Sequence, residues 1–525
     1  MSLNISTLLS ASAHRYPDKV AILSEDRTMT YAELWHQVSR LAGSIRKLGI
    51  TPGQHIALLL PNIPSFTLAY YAAHLVGNPV VPLNILLKPD EIAYHVRDSN
   101  AVALITCGDL QGDALLAWEQ CEELQHVIIY QTQKTESLAH ARRPAGAQLH
   151  TLESLLDHSH PIEDYHATSP DDTAVILYTS GTTGRPKGAE LSHFNLMYNA
   201  EWVLKLPKEM PNHEMRSLVA LPLFHSFGQS VLQNATVMAG GTLSLMRRFD
   251  PLLAAQMMQK QAINVFAGVP TMYYGLLNHP SIQPKMLASL RLCLSGGASM
   301  PEDVMRRFDK TYSVDLIEAY GLSETSPVAS SNPIGGGKKV GSVGLPIWGV
   351  SFRLINEQGD EVTETGVAGE LCIKGHNVMK GYYRRPEATA EVMQNGWFRS
   401  GDIAVRDEEG FYRLVDRKKD LIIRGGFNVY PREVEEHLYA HPAVLEAAVI
   451  GVPHDKHGEE IHGFVALRAG ASCTTGELIE YCRERLAAYK YPRFMSVIEQ
   501  LPKGPTGKIL KRVLRDQAKL QNEMA

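Results

Sequence analysis

Apolar side chains recur at helical spacing over residues 30–50, TYAELWHQVSRLAGSIRKLGI, behind a threonine and ahead of Gly49, and the next run, HIALLL, is short and unbroken. The first predicts a helix capped by Thr30 and the second a buried strand. Helix followed by strand then recurs, in PSFTLAYYAAHLVG before NPVVPL, DEIAYHVRDSNA before VALITC, and LLAAQMMQKQA before INVFAG. That order predicts a layered α/β architecture with buried, largely parallel strands. The most apolar long stretch, 68–87, is broken by His74, Asn78, Pro79 and Pro82. A membrane helix needs an unbroken span of about 20 residues, so this stretch reads as a core helix running into a strand.

From about residue 360 the texture changes to short strand-like runs punctuated by glycine, GELCIKG and GFYRLV, followed by a charged stretch at 416–420. Beyond it PREVEEHLYAHPAV, LEAAVIGVP, IHGFVALRA, GELIEYCRERLAAY and FMSVIEQLP alternate helix with strand. At 525 residues the chain is too long for one ordinary core. The expected division is a large N-terminal domain, 1–416, a connection, 417–423, and a small α+β domain, 424–525.

Composition narrows the function. With 44% hydrophobic and 20% charged residues and a formal net charge of -5, the chain has a globular composition and no general basic field. Nucleic acid is therefore not an expected partner, membrane contact is at most peripheral, and any anionic ligand must be held locally. Six cysteines, Cys107, Cys121, Cys293, Cys372, Cys473 and Cys482, lack zinc-ligand spacing and read as reduced thiols, with no disulfide and no structural metal expected. The N-terminus lacks a basic start, an apolar stretch and a cleavage site, so the expected location is cytoplasmic.

The sharpest chemical signal is YTSGTTGRPKG at 178–188, after the apolar strand TAVIL and ahead of a helix that Ser192 can cap. Thr179, Ser180, Gly181, Thr182, Thr183 and Gly184 offer hydroxyls and unobstructed backbone N–H groups, and Lys187 adds a positive charge, which together make a phosphate cradle. No Gly-Lys-Ser/Thr closes it, so it is not a Walker A loop. On chemistry alone a solvated Gly/Thr/Ser loop competes with this reading.

The loop resembles the signature of the adenylate-forming superfamily of acyl-CoA synthetases, peptide-synthetase adenylation domains and firefly luciferase. LPLFH (221–225), EAYGLSET (318–325), WFRSGD (397–402), YRLVDRKKD (412–420), RGGFNVYP (424–431) and KGPTGK (503–508) are similar to its other motifs, in the same order and over nearly the whole chain. The resemblance implies that a carboxylate attacks the α-phosphate of ATP, that Mg2+ and pyrophosphate leave, and that coenzyme A then takes the acyl group. It implies a large adenylation domain and a small mobile lid. Glu324 corresponds to the magnesium-associated glutamate, with Ser323 and Thr325 beside it to bond phosphate oxygens. Tyr320 would stack on adenine, with Gly297, Ala298 and the backbone at Glu318 and Ala319 lining that pocket. Asp402 and Arg417 would hold the ribose. His225 would orient the carboxylate or gate access to it, Lys508 would bridge carboxylate and α-phosphate, Lys419 would be the hinge, and Gly425 and Gly426 would make room for the pantetheine arm of CoA. Taken singly, Glu324, Asp402, Arg417 and Lys508 are ordinary solvated charges, and Tyr320 and His225 ordinary core residues. A metal site at His454, His457, Glu459, Glu460 and His462 is rejected, because strand alternation separates these side chains and the family has a turn there.

In this family the acyl pocket lies between LPLFH and EAYGLSET. Here Phe224, Phe227, Val231, Phe266, Val269, Met272 and Tyr273 are apolar, Gln229 and Thr271 are polar, and no arginine within the motifs awaits a second carboxylate. An apolar tail is favoured, and VPTMYYGLL is similar to bacterial medium- and long-chain fatty acyl-CoA synthetases. Gln229 departs from the gating tryptophan of some long-chain members. Aryl or dicarboxylic acids, and a carrier protein as acceptor, remain the alternatives.

Overall fold

The computed structural model describes residues 2–25, 27–131, 144–162, 164–179, 185–206, 210–418, 420–454, 456–504 and 507–524. Helix α1, Tyr31–Lys47, begins at a reciprocal cap in which Glu33 N–H donates to the Thr30 hydroxyl at 3.2 Å and Thr30 N–H donates to the Glu33 carboxylate at 2.8 Å. Its buried face carries Leu34, Val38, Leu41, Ala42 and Ile45. Helix α2, Pro64–Leu75, is buried on every side from Ser65 to Leu75, as a helix without a polar face must be. Between them strand β1, His55–Leu59, enters the core, and after α2 comes β2, Val80–Pro82. The stretch at 68–87 is thus helix and strand of a protein interior. Among the described residues no helix is long and apolar enough to cross a membrane.

An eight-stranded sheet holds β1 and β2 among parallel neighbours and includes β3, Thr173–Thr179. Its last part departs from the expected order of strand, loop and helix. Strand β4, Lys187–Ser192, runs back antiparallel to β3. Helix α3, His193–Leu204, starts only after β4, and there Asn195 N–H does donate to the Ser192 hydroxyl at 3.1 Å. Gly381–Tyr382 pairs with β4 at the edge.

A nine-stranded sheet contains β5, Val265–Gly268, followed by helix α4, Pro270–Asn278, then β6, Leu292–Ser295, and β7, Leu316–Gly321. β5, β6 and β7 are consecutive parallel neighbours. The change of texture near residue 360 falls inside a five-stranded antiparallel sheet that includes β8, Trp397–Arg406, and β9, Tyr412–Arg417. The chain then enters a smaller C-terminal domain with its own sheet, in which β10, Val444–His454, and β11, Gly458–Leu467, form a long hairpin against helix α5, Pro431–Tyr439. Ile422, Val434, Leu438, Ile461, Val465 and Leu478 make its separate core. A mixed α/β chain with a large N-terminal and a small C-terminal domain is what the sequence led us to expect. All six cysteines are free thiols, and only Cys473 is less than fully buried.

Candidate active site

Parallel neighbours end side by side, so whatever follows β5, β6 and β7 is gathered at one edge of the sheet, where open α/β sheets present their ligand crevices. Val269 follows β5, Gly296, Gly297 and Ala298 follow β6, and β7 itself ends in Glu318, Ala319, Tyr320 and Gly321. The Gly296–Gly297 turn lies flat against β7. A Cβ at Gly296 would stand 3.2 Å from the Ala319 carbonyl oxygen and 3.1 Å from the Phe227 ring, and Gly297 has φ +79°. Gly297 and Ala298 are exposed, whereas Glu318, Ala319 and Tyr320 are buried.

Cross-strand register supplies the next group. Asp402 on β8 is the Cα partner of Arg417 on β9, and Arg417 Nε stands 3.0 Å from Asp402 Oδ1. The other carboxylate oxygen, Oδ2, accepts from the Tyr320 hydroxyl at 2.6 Å. Burial first, and then the Asp402 charge, hold the Tyr320 phenol well above its ordinary range, so the phenol donates and Asp402 stays an acceptor. Each Asp402 oxygen keeps a lone pair for a further donor.

A second group forms where the eight-stranded sheet meets the turn that follows β7. The hydroxyls of Thr179, at the end of β3, and of Tyr382 both donate to Glu324 Oε1, at 3.2 and 3.0 Å. Lys187 Nζ lies over the Tyr382 ring, 5.4 Å from its centroid. Tyr382 was not anticipated, because nothing in the local run Gly381-Tyr382-Tyr383 distinguishes it from a core tyrosine. Ser180, Gly181, Thr182, Thr183 and Gly184 lie outside the described residues, as does Lys419. Ser323 is half-buried in the same turn as Glu324. Thr325 does not follow its expected role as a phosphate ligand. It is fully buried, its hydroxyl accepts from Leu322 N–H at 2.9 Å and donates to the Pro327 carbonyl, and it is spent on closing the turn.

On the third side, Phe227 N–H donates to His225 Nδ1 at 3.2 Å, which leaves the proton on Nε2. Burial, with the charge of Lys508 second, pushes the imidazole down to about 4, so it is neutral near pH 7. Lys508 comes from the small domain. The turn before it sits on the start of α4, where a Cβ at Gly507 would be 3.0 Å from both Thr271 Oγ1 and Val269 Cγ2. Phe224, Phe227, Val231, Val269 and Met272 are buried, and of these Phe227 and Val269 stand against the Gly296–Gly297 turn. Tyr273, expected among the pocket walls, is instead a brace of the sheet, donating to the carbonyls of Phe266 and Leu294 at 3.1 and 2.7 Å. Gln229 belongs to a π-helix, Phe227–Asn234. It is fully buried, and neither its Oε1 nor its Nε2 has a hydrogen-bond partner, nor do the hydroxyls of Ser226 and Ser230.

Gly425 and Gly426 are not gathered with these residues. They form an exposed turn of the small domain, with φ +57° and +83°, and no heavy atom comes within 4 Å of a Cβ placed at Gly426. Of the nearby histidines and glutamates, Glu460 pairs with Arg424 at 2.5 Å, Glu459 accepts from Ile423 N–H, His462 bonds Ser496, and the rings of His454 and His457 stack.

The family model described as AMP-binding enzyme matches residues 9–383, and that of the AMP-binding enzyme C-terminal domain matches residues 433–508. The chain is 36% identical over 530 residues to the long-chain-fatty-acid–CoA ligase of Bacillus subtilis, covering 98% of this chain and 94% of that one. It is 37% identical over 505 residues to a feruloyl-CoA synthase of Amycolatopsis, covering 96% of each. The fold superposes on the ATP-bound crystal structure of MatB from Rhodopseudomonas palustris with a TM-score of 0.89 and 31% identity, over 99% of both chains.

Proposed function

This chain belongs to the AMP-binding enzyme family and is an AMP-forming acid–CoA ligase, and from that premise we propose that its acid is a medium- or long-chain fatty acid. The observation that carries the reading is the seating of the Lys508 turn on Val269 and Thr271, beside neutral His225 and the buried Phe224, Phe227, Val231 and Met272. On this reading a cation and a hydrogen-bond donor would head a lining of these apolar side chains, which suits a carboxylate with a hydrocarbon tail. The full-length likeness to the Bacillus subtilis ligase supports the same choice.

In the proposed reaction a carboxylate oxygen forms a bond to the α-phosphorus while the bond from that phosphorus to pyrophosphate breaks. The carboxylate is already ionised near neutral pH, so no base is required. His225 Nε2–H orients it, and the Lys508 ammonium stabilises the negative charge that develops between the reacting groups. Tyr320 and the Gly297–Ala298 turn would hold adenine, with the backbone at Glu318 and Ala319. Asp402 and Arg417 would hold the ribose, and Lys187 with the loop at 179–184 the phosphates. Glu324 Oε1 already accepts two hydroxyl donors, and its carboxylate remains a hard oxygen ligand of the kind that suits Mg2+. When bound there, Mg2+ would neutralise phosphate charge.

For the second half-reaction, residues 417–423, with Lys419, would be the hinge between a domain of residues 1–416 and one of 424–525. Rotation about it would withdraw Lys508 and bring the open Gly425–Gly426 turn to the pantetheine arm, so that the CoA sulfur attacks the acyl carbonyl and AMP leaves.

One observation favours a second reading. The unpartnered atoms of Gln229, Ser226 and Ser230 are what an aryl acid with polar ring substituents would engage, and the feruloyl-CoA synthase is an equally full-length relative. Pyrophosphate release from ATP and Mg2+ with octanoate, palmitate, ferulate, malonate and acetate, with and without CoA, decides between them. Fastest CoA-dependent turnover on octanoate or palmitate, lost in Lys508→Ala, is expected. Preference for ferulate would install the second reading, and a single burst indifferent to CoA would refute both.

A further inference from the structure

Helix α4 touches the small domain twice. Its first turn carries Thr271, which meets Gly507, and one turn later Tyr274 accepts a hydrogen bond from Arg468 Nη1 at 2.9 Å, with the guanidinium 5.6 Å from the tyrosine ring centroid. Spacing of three residues puts both on one face of a helix, while Met272, Tyr273 and Leu276 are the buried face. Arg468 follows β11, in the domain that carries Lys508. Glu446 of β10 pairs at 2.6 Å with Lys503, which opens the turn ending at Lys508. That turn is closed on itself by Gly504 N–H donating to the Lys508 carbonyl at 2.8 Å. Arg432 donates to the Leu414 carbonyl and the Asp416 carboxylate, where the chain itself connects the domains. Arg468 crosses at the Lys508 end.

We propose that Arg468 and Tyr274 are a positioning pair that seats the Lys508 turn on α4 for acyl-adenylate formation and takes no part in transfer to CoA. The inference rests on the two-pose reading above. Neither residue touches the reacting atoms. The pair shifts the balance of domain poses, so its loss lowers the rate of the step that needs Lys508 in place and spares the step that needs it withdrawn. Because α4 also contributes Val269, at its cap, and Met272 to the acyl side, an acid that fills the pocket firms the same helix on which the small domain docks.

The test separates the half-reactions in single-turnover experiments. Pyrophosphate formation is followed with ATP and octanoate, or ferulate if that acid is preferred, and thioester formation with the matching preformed acyl-adenylate and CoA. Arg468→Gln and Tyr274→Phe are each expected to slow the first roughly tenfold, since both remove a hydrogen bond from a charged donor. The second half-reaction should be unchanged or faster, and the double variant no slower than either single one. Tyr274→Phe keeps the ring, and an unchanged melting temperature verifies its fold. Equal slowing of both half-reactions, or of neither, overturns the proposal. Lys508→Ala is run alongside: if it also leaves the first half-reaction intact, the Lys508 assignment itself has failed, whereas loss in Lys508→Ala without loss in Arg468→Gln refutes only the positioning pair.

Discussion

Tyr320 donates its phenolic proton to Asp402 at 2.6 Å, joining the end of β7 in the nine-stranded sheet to the antiparallel sheet that holds Arg417. On the proposed reading the residue beneath adenine and the residue beneath ribose are therefore one unit, and moving either moves both.

Tyr320→Phe keeps the ring and removes that bond. Hydrogen bonds to charged groups contribute about 1.5–3 kcal/mol, part of which water restores. We expect KM for ATP to rise roughly tenfold with a smaller change in kcat, read from pyrophosphate release against ATP concentration. An unchanged KM would show that Asp402 is held well enough by Arg417 alone.

Tyr382 and Thr179 share one oxygen of Glu324. Tyr382→Phe should loosen that carboxylate and raise the Mg2+ concentration for half-maximal activity several-fold, without altering the thermal midpoint by more than a degree or two. A magnesium titration that superposes on the parent curve would refute the assignment.

Glu318 gives a pH signature. Burial pushes its carboxyl up to about 7 against the counter-pull of Arg432, and its Oε2 has no hydrogen-bond partner while Oε1 accepts from Met300 N–H. A folded-state value above the unfolded one means that the fold favours the neutral acid. This contribution is complete below the unfolded value near 4.5 and is lost as pH rises through about 7. Glu318→Gln keeps the Met300 bond and cannot ionise. Its stability should therefore gain on the parent between pH 5 and 8, by on the order of 3 kcal/mol at most. Denaturant unfolding at the two pH values measures it, and a constant gap would count against a raised carboxyl.

Gln229→Leu tests the lining. Two buried atoms without partners cost about 1–3 kcal/mol each, so the variant should be at least as stable as the parent. The ratio of kcat/KM for octanoate over ferulate should rise. An unaltered ratio would place Gln229 away from the acyl group.

By itself the sequence determined many of the elements and the family. The Thr30 cap and the buried α2 follow from hydrophobic period and capping chemistry, which act between residues a few positions apart. The ordered motifs named Glu324, Asp402, Arg417 and Lys508, and with them the family. Only the tertiary structure decided how the groups divide their hydrogen bonds. It tied Tyr320 to Asp402, brought Tyr382 to Glu324, turned the Thr325 hydroxyl inward, and set Arg468 against Tyr274. Each of these contacts joins different sheets or domains or depends on which way a buried side chain turns. Strand order and packing across the whole chain settle such matters, and no local pattern records them.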